Sequence, residues 1–266
     1  MSFRVSVIMA EYSTDSAYIR QAIDSVLSQT YSDFEFIIVD DSGTNRVERI
    51  TKEYDDKRIR IIKNAKNMGF VYSLNNGIRH ARGEYIIRMD TDDIITPDRF
   101  EKLIDYIEKH PEYAVVSSRT AQFTDREELG IIGTQGEKSK KEVMQGDVPV
   151  HAAAIIRKAD IEEIGLYKNY LRAEDLVLWC ELLLAGKRLY MLEDVLYRYR
   201  VNPHDYKKRT IRHRKAEIKA RLIYYPKLGA TPMDYLKIAK SIAAGLAPIW
   251  LVRFYHNRFV LKGHKS

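Results

Sequence analysis

The sequence predicts an α/β fold in which helices flank a mostly parallel central sheet. Two observations lead to this prediction. Apolar runs of strand length alternate four times with segments of helical periodicity in about the first 90 residues. Strands joined by such helical crossovers run parallel, and three of the four end in polar or acidic residues. Because α/β sheets bind ligands beyond the carboxyl ends of their strands, these three ends should face one crevice.

The first part of the chain supplies the repeating strand and helix units. The predicted strands are rich in Val, Ile or Phe and cover residues 5–9, 34–39, 58–62 and 84–89. Asp15 or Ser16 can cap the first helix. The second helix ends near Tyr54, and the third runs from Gly69 to Ala81. This alternation is typical of βαβ units on a parallel sheet.

The pattern is less regular after Pro97. Two more helices are predicted over residues 99–110 and 173–184. The predicted strands share a high content of Val, Ile, Ala or Tyr and cover 113–118, 151–156 and, as one or two short strands, 190–199. Residues 119–150 are expected to form a short hairpin and a polar loop. Such a loop is a candidate lid or acceptor-site wall.

Composition limits the classes of protein that this chain can belong to. Its 266 residues, of which 45% are hydrophobic, suit one large domain, with or without an appendage. The single cysteine, Cys180, excludes an intramolecular disulfide and any zinc site built from several cysteines. We find neither an N-terminal signal peptide nor a run of 18 apolar residues, so we expect a cytoplasmic protein.

Charge is distributed unevenly along the sequence. Residues 196–266 hold 17 Lys and Arg against 3 Asp and Glu, whereas the whole chain has a net charge of +7. Such a basic segment indicates an anionic partner, either a membrane surface or a nucleic acid.

Two helical segments are predicted within this basic part. Residues 209–227 are crowded with Arg and Lys. Residues 235–261 mix aromatic and aliphatic side chains with basic ones, as in helices that lie in a membrane interface, and Pro248 should kink this segment. The alternative is that these helices pack on the rest of the protein or on a second subunit.

The most informative stretch is Asp90-Thr91-Asp92-Asp93, which follows an apolar strand. Three carboxylates within four residues repel one another and need a compensating cation. A hard divalent ion with oxygen ligands, such as Mn²⁺ or Mg²⁺, meets that need and can carry a diphosphate on its open positions. The alternative is a solvated acidic turn before a helix. The chain has neither a Gly-x-Gly-x-x-Gly motif after the first strand nor a P-loop, so phosphates would depend on such a metal.

Nine short motifs give the sequence a family resemblance. They are VSVIMAEY at 5–12, AIDSVLSQTY at 22–31, IVDDS at 38–42, NMG at 67–69, LNNGI at 74–78, GEYIIRMDTDD at 83–93, PDR at 97–99, AED at 173–175 and LW at 178–179. In this order they resemble the inverting family 2 glycosyltransferases. The resemblance covers about the first 200 residues and implies the GT-A fold, a Rossmann-like fold of nucleotide-diphospho-sugar transferases.

The resemblance implies two halves of a catalytic domain and a role for each candidate residue. Residues 1–93 would form the nucleotide-sugar half and 94–202 the acceptor half. Residues 203–266 would be a basic helical extension that associates with a membrane or mediates oligomerisation. The implied nucleotide-binding residues are Ala10, Glu11, Tyr12, Asp40, Asp41, Asn67, Gly69, Asp90 and Thr91. Tyr12 would stack on the base, and Asp40 or Asp41 would accept a hydrogen bond from it. Asp90 would contact the ribose, and Asp92, with Asp93, would hold the metal.

Asp175 is the implied general base, with Glu174 as a second carboxylate that could share the role. An acidic residue at the start of a helix can instead be a simple cap. His151 and Trp179 are expected on the acceptor side, although a structural role for His151 is an alternative. The chain departs from the family pattern at Glu11, which adds a carboxylate near the nucleotide. Many members have a histidine at the position of Asn202. The nearest histidine in this chain is His204, which is a candidate metal ligand.

These implications together predict an inverting, metal-dependent transfer from a nucleotide sugar, UDP-linked by preference, to a glycan or lipid-linked acceptor. The enzyme would act in the cytoplasm or at the inner face of the cell membrane. Two alternatives stay open at this point. A nucleotidyltransferase would share the sheet and the acidic site, but it usually has a Gly-rich basic loop after the first strand. A nucleic-acid-binding protein would use the basic segment, but no zinc finger, RNA-binding signature or helix-turn-helix is found.

Overall fold

The computed structural model describes residues 3–201, 211–236, 239 and 242. Its first four strands form the parallel half of the sheet, in the order β3-β2-β1-β4. They are β1 (Val5–Glu11), β2 (Phe34–Asp40), β3 (Ile59–Lys63) and β4 (Tyr85–Met89). The register sets Glu11 beside Asp40, so the carboxyl ends of β1 and β2 lie side by side as predicted.

Three helices connect these strands. They are α1 (Ser16–Leu27), α2 (Arg46–Thr51) and α3 (Phe70–His80). The Asp15 carboxylate accepts a hydrogen bond from the backbone N–H of Ala17 at 2.7 Å, which confirms the predicted cap of α1. Gly77 allows α3 to pack closely on the sheet, because a Cβ at this position would lie 2.6 Å from Cγ2 of Ile8. The four predicted alternations of strand and helix are therefore confirmed.

The second half of the chain continues the same sheet. Its strands are β5 (Ile94–Ile95), β6 (Tyr113–Phe123), β7 (Glu128–Ile132), β8 (Gly136–Glu137), β9 (Ile155–Arg157) and β10 (Arg188–Arg200). The sheet order runs on from β4 as β9-β6-β10-β5. Strand β9 is antiparallel to both of its neighbours, whereas β10 runs parallel to β6. Helices α4 (Arg99–Lys109), α5 (Lys140–Gln145), α6 (Lys158–Glu163), α7 (Glu174–Leu184) and α8 (Ile211–Leu228) complete the described elements.

The structure corrects three details in this half. The strand predicted from His151 begins only at Ile155, because residues 151–153 form a single 3₁₀ turn. The segment 190–199 belongs to one continuous strand, β10, whose pairing with β6 shifts register three times. The expected hairpin within 119–150 is formed by β6 and β7, but the rest of that segment holds β8 and α5. Helix α6 follows β9 without any predicted counterpart.

The sheet has a buried apolar layer on each face. Val7, Met9 and Phe36 belong to the layer that includes residues of α1 and α4, while Ile8 and Ile37 belong to the layer under α3 and α7. Alternation along each strand produces these two layers. No helix in the described ranges is both long and apolar enough to cross a bilayer.

Helix α8 packs against α7 instead of extending from the body. Ala220 and Tyr225 are fully buried. The Tyr225 hydroxyl donates to the carbonyl of Met144 at 3.0 Å, and the Tyr224 hydroxyl donates to Oε1 of Glu181 at 2.6 Å. The predicted helix over 209–227 is thus present from Ile211. Most of the segment 235–261, including Pro248, lies outside the described residues.

Candidate active site

A cleft of about 1090 Å³ opens at the edge of the sheet where β4 ends. The first residues of α3 lie on one side of it, and the loop that leads into α7 lies on the other. Five of the predicted site residues line this cleft: Gly69, Asp90, His151, Glu174 and Asp175. The predicted nucleotide side and the predicted acceptor side therefore meet in one cavity.

Asp90 begins the acidic loop, residues 90–93, which we call the Asp loop. Its carboxylate forms an ion pair with Arg88, two residues earlier in β4. The backbone N–H of Asp90 donates to the Tyr197 hydroxyl at 3.3 Å, which ties the loop to β10. Asp90 is half-buried and lines the cleft, so its carboxylate faces the space available to a ligand.

Asp93 holds the Asp loop on the sheet. One carboxylate oxygen accepts from the backbone N–H of Arg200 at 2.8 Å, and the other accepts from the Tyr197 hydroxyl at 2.8 Å. Asp93 is fully buried, and this burial, beside Asp90 and Asp92, raises the pKa of its carboxyl well above the usual range. Both oxygens accept hydrogen bonds that anchor the Asp loop, and the role of Asp93 as a metal ligand stays a prediction. Asp92, which is half-buried, keeps that predicted role.

Glu11 and Asp40 form the acidic end of the nucleotide side. Asp40 accepts from the backbone N–H and the hydroxyl of Ser42 at 2.9 and 2.6 Å through one oxygen. Glu11 accepts from the backbone N–H of Thr14 at 3.0 Å and pairs with Arg46 through one oxygen. Both residues are buried, and among the described residues nothing donates to the second oxygen of either. Burial also raises the pKa of Glu11.

Asp41 has a different task from Asp40. Its carboxylate accepts from the backbone N–H groups of Met68 and Gly69 at 2.8 and 2.9 Å, and from Nδ2 of Asn64 at 2.7 Å. Asn67 accepts from the same Gly69 N–H at 3.0 Å. Asp41 and Asn67 therefore shape the turn before α3, which leaves Asp40 as the candidate with a spare acceptor.

The remaining nucleotide-side predictions lie around the end of β1. Tyr12 has 55% of its surface exposed, as a stacking platform requires. Ala10 is half-buried against the core. Thr91 is buried, and its hydroxyl is hydrogen-bonded to that of Thr14, which links the Asp loop to the segment after β1.

Glu174 and Asp175 form the first residues of α7. Ala173 is the N-cap residue of this helix and makes no side-chain cap hydrogen bond. Asp175 is therefore not the N-cap residue. Oδ1 of Asp175 accepts from the backbone N–H of Leu176 at 2.7 Å. Burial raises the pKa of both carboxyls, and the nearby charge of Arg88 partly opposes this rise.

Arg88 and Tyr167 are cleft residues that the sequence did not reveal. Nη1 of Arg88 lies 3.1 Å from Nδ1 of His151, and Nε2 of His151 lies 2.7 Å from the Tyr167 hydroxyl. Burial and the Arg88 charge lower the pKa of His151 well below its ordinary value, so the imidazole is neutral. A charged residue inside an apolar strand was the signal for Arg88, whereas Tyr167 lies in a loop without a motif.

Trp179 and His204 are the last two predicted residues. Trp179, predicted on the acceptor side, is fully buried in the core, where its ring packs edge-on against His151 with centroids 5.8 Å apart. It can support His151 but cannot touch a ligand in the cleft. His204 lies outside the described residues.

The donor atoms at the Asp loop suit a hard divalent cation. Among the described residues no group of three or more His, Cys, Asp and Glu is arranged to hold a metal. Asp90 nevertheless lines the open cleft, and Asp92 follows it two residues later in the same loop. Mg²⁺ and similar ions are often held by one or two carboxylates together with substrate phosphates, so this donor set fits such a cation.

Comparison with known proteins agrees with this arrangement. The sequence model described as "Glycosyl transferase family 2" matches residues 6–165. A Bacillus subtilis chain named as a glycosyltransferase, EpsE, is 32% identical over 269 residues, with 97% of this chain and 95% of that one covered.

Two further proteins carry informative names. The Escherichia coli UDP-Gal:alpha-D-GlcNAc-diphosphoundecaprenol beta-1,3-galactosyltransferase is 29% identical, with 84% of this chain and 83% of that one covered. The solved mannosyltransferase PcManGT from Pyrobaculum calidifontis, in complex with GDP-Man and Mn²⁺, superposes with a TM-score of 0.68 at 17% identity. The match covers 100% of this chain and 76% of the mannosyltransferase chain. At that identity the likeness shows a shared GT-A fold alone.

Proposed function

Because the chain belongs to glycosyl transferase family 2, we propose that this glycosyltransferase moves a sugar, with inversion and with the help of a divalent metal, from a nucleotide sugar to an acceptor hydroxyl. One observation carries the proposal. A single cleft brings Asp90 of the Asp loop together with Glu174 and Asp175 at the start of α7. A residue proposed for nucleotide binding and the residues proposed for proton removal then line the same cavity.

The nucleotide would bind over the ends of β1 and β2. Tyr12 is exposed there and would stack on the base. The spare, buried oxygen of Asp40 would accept a hydrogen bond from a ring N–H of that base. Uracil offers such an N–H, and we propose UDP as the nucleotide. The printed name of the Escherichia coli relative, a UDP-Gal enzyme, supports this choice.

Asp92, with Asp93, would hold Mn²⁺ or Mg²⁺ against the diphosphate, and Asp90 would contact the ribose. When bound, such an ion neutralises the negative charge of the leaving nucleoside diphosphate. Mn²⁺ beside GDP-Man in the structural relative supports the metal. Tyr197 and Arg200 would keep the Asp loop in place.

Asp175 would be the general base, and Glu174 would share its negative field. Asp175 would take the proton from the acceptor hydroxyl while that oxygen forms a bond to the anomeric carbon. On the opposite face the bond from that carbon to the diphosphate oxygen breaks, so the configuration inverts. Burial assists the base, because a raised pKa makes a carboxylate a stronger proton acceptor near neutral pH.

We further propose that the acceptor is a glycan or a lipid-linked sugar, handled at an anionic membrane surface. The diphosphoundecaprenol acceptor in the name of the Escherichia coli relative supports a lipid-linked acceptor. The basic segment 203–266 would make the membrane contact, or the contact with a second copy of the chain. Residues 1–93 and 94–202 would serve as donor and acceptor halves.

A thermal-shift panel tests the proposal. UDP-, GDP- and dTDP-sugars are each added with and without Mn²⁺ to the wild-type protein and to Asp92→Ala and Asp175→Asn variants. We expect a Mn²⁺-dependent shift with UDP-sugars in the wild type and in Asp175→Asn, and none in Asp92→Ala. Asp105→Ala on α4 is the matched control, since it removes a carboxylate from a surface ion pair with Lys109.

Turnover separates the two acidic variants. Asp175→Asn should bind the donor but lose roughly 10²–10⁴-fold in transfer rate, as expected for loss of a general base. Transfer by Asp175→Asn at the wild-type rate would remove the base assignment. A wild-type protein that no nucleotide sugar stabilises would contradict the proposed function as a whole.

A further inference from the structure

The backbone of Tyr167 is held in place by two hydrogen bonds to the side chain of Asn75. Its backbone N–H donates to Oδ1 of Asn75 at 3.0 Å, and its carbonyl accepts from Nδ2 of Asn75 at 2.9 Å. The preceding residue, Leu166, adopts a left-handed backbone conformation with φ of 64°. Such a conformation is unfavourable for leucine and persists only where the surroundings enforce it. The side chain nevertheless lines the cleft.

The hydrogen bonds that end at Tyr167 have a fixed direction. A guanidinium can only donate, so Nδ1 of His151 must accept from Nη1 of Arg88. A neutral imidazole that accepts through Nδ1 carries its hydrogen on Nε2. That hydrogen is then donated to the Tyr167 hydroxyl oxygen at 2.7 Å. The hydroxyl hydrogen of Tyr167 must consequently be directed to a different acceptor.

The position of this hydroxyl suggests what that acceptor is. In the described part of the chain no residue accepts the Tyr167 hydroxyl hydrogen. Tyr167 lines the same cleft as Asp90 of the Asp loop and as Glu174 and Asp175 at the start of α7. A sugar in transit between a diphosphate at the Asp loop and a base at Asp175 must occupy this same space.

We propose that the Tyr167 hydroxyl, oriented by the Arg88–His151 pair, donates a hydrogen bond to an oxygen of the transferred sugar and helps to select that sugar. This inference rests on the proposed function and adds a sugar-contacting residue to it. Donation is strengthened in such a chain, because each hydrogen bond polarises the next. Asn75 and the strained Leu166 fix the distance over which the contact can form.

The test compares how UDP and UDP-sugars bind. Calorimetry in the presence of Mn²⁺ gives the ratio of the dissociation constant of UDP to that of UDP-glucose, UDP-galactose or UDP-GlcNAc. In Tyr167→Phe, affinity for UDP should stay within about twofold of wild type, while this ratio for the best sugar falls about five- to tenfold, the size of one lost hydrogen bond. Tyr170→Phe is the matched control, because Tyr170 packs on Tyr224 and does not line the cleft.

Deoxy sugars provide a second arm, in which the ligand is changed as well as the protein. One deoxy analogue of the preferred UDP-sugar should bind wild type five- to tenfold more weakly and should show no further loss in Tyr167→Phe. An unchanged UDP-sugar ratio in Tyr167→Phe overturns the inference alone. An unchanged ratio with a displaced acid limb of the pH profile shows that Tyr167 donates to the base, and also overturns it. A wild-type protein that binds neither UDP nor UDP-sugars overturns the proposed function itself.

Discussion

At the scale of single residues, burial and nearby charges together set the pKa of the two carboxyls at the start of α7. Burial raises the pKa of Asp175 and Glu174, and Glu217 of α8 adds to the rise at Asp175. Arg88 opposes the rise at both carboxyls from the floor of the cleft. Arg88 therefore limits the rise in the pKa of both carboxyls, although its charge is also paired with Asp90.

We predict that the acid limb of the pH profile of kcat/KM lies above the ordinary aspartate range. A raised pKa keeps the carboxyl protonated, and so inactive as a base, until the pH exceeds that pKa. Arg88→Gln removes the opposing charge, so its limb should move to still higher pH. Initial rates between pH 4 and 9 measure this. Arg198→Gln should leave the limb in place, because Arg198 does not line the cleft and is paired with exposed Glu128. A limb that Arg88→Gln moves to lower pH would contradict the electrostatic argument.

Sequence reasoning at this scale found residues whose chemistry needs little context. Asp90, Asp175 and Asp40 follow strands or begin a helix, where motifs place them reliably. It could not separate Asp40 from Asp41, because their different hydrogen bonds depend on how the turn before α3 folds. Tyr167 was missed since its role depends on partners far away in the chain, Asn75 and His151.

At the scale of elements, β10 fastens the Asp loop to the second half of the sheet. Arg200 at its end is almost fully buried. Its side chain donates to the carbonyl of Asp92 at 2.8 Å and to Gln21 at 2.6 Å, and it pairs with Asp125 in the turn between β6 and β7. One guanidinium therefore connects the Asp loop, α1 and the β6–β7 hairpin.

We predict that Arg200→Met lowers the free energy of unfolding by about 1–3 kcal/mol, because the nearly buried guanidinium loses its hydrogen bonds to the Asp92 carbonyl and to Gln21. Arg198→Met, two residues earlier on the same strand, should cost less than about 1 kcal/mol, since its ion pair with Glu128 is exposed. Urea denaturation of both variants gives the comparison. Equal losses would show that Arg200 does not have this fastening role.

Element prediction succeeded where periodicity was strong and failed where strands were short. The four strand and helix units before Asp90 have long apolar runs, and the structure confirms each one. Strand β9 has only three residues and follows a 3₁₀ turn, so its start was placed too early. The register shifts of β10 break its alternation, which explains why the sequence pattern left one strand or two open.

At the scale of the whole molecule, charge is concentrated at the C-terminal end. Within the described ranges, Lys215, Lys219 and Lys227 are exposed on α8, and Leu222 and Leu236 are exposed near them. Basic and apolar groups together favour contact with anionic lipid. The proposed membrane partner is therefore supported by the described part of the segment as well as by its composition.

We predict that the full chain floats with phosphatidylglycerol vesicles at low salt. The double change Lys215→Glu and Lys219→Glu should weaken partitioning by roughly 30-fold or more, at about 1 kcal/mol for each lysine removed. The matched control is Lys57→Glu with Lys66→Glu, which alters two exposed lysines on the catalytic body. Binding should also weaken with salt. Equal flotation of both double variants would exclude α8 as the membrane contact.

The packing of α8 on α7 also has a practical consequence. Helix α7, which begins with Glu174 and Asp175, is covered on its outer side by Ala220, Tyr224, Tyr225 and Leu228. Truncating the protein at residue 202 to obtain a smaller crystallisation target would expose this apolar side of α7 to solvent and promote aggregation. A trimmed version should therefore retain everything through residue 228, and a purification tag belongs at the N-terminus.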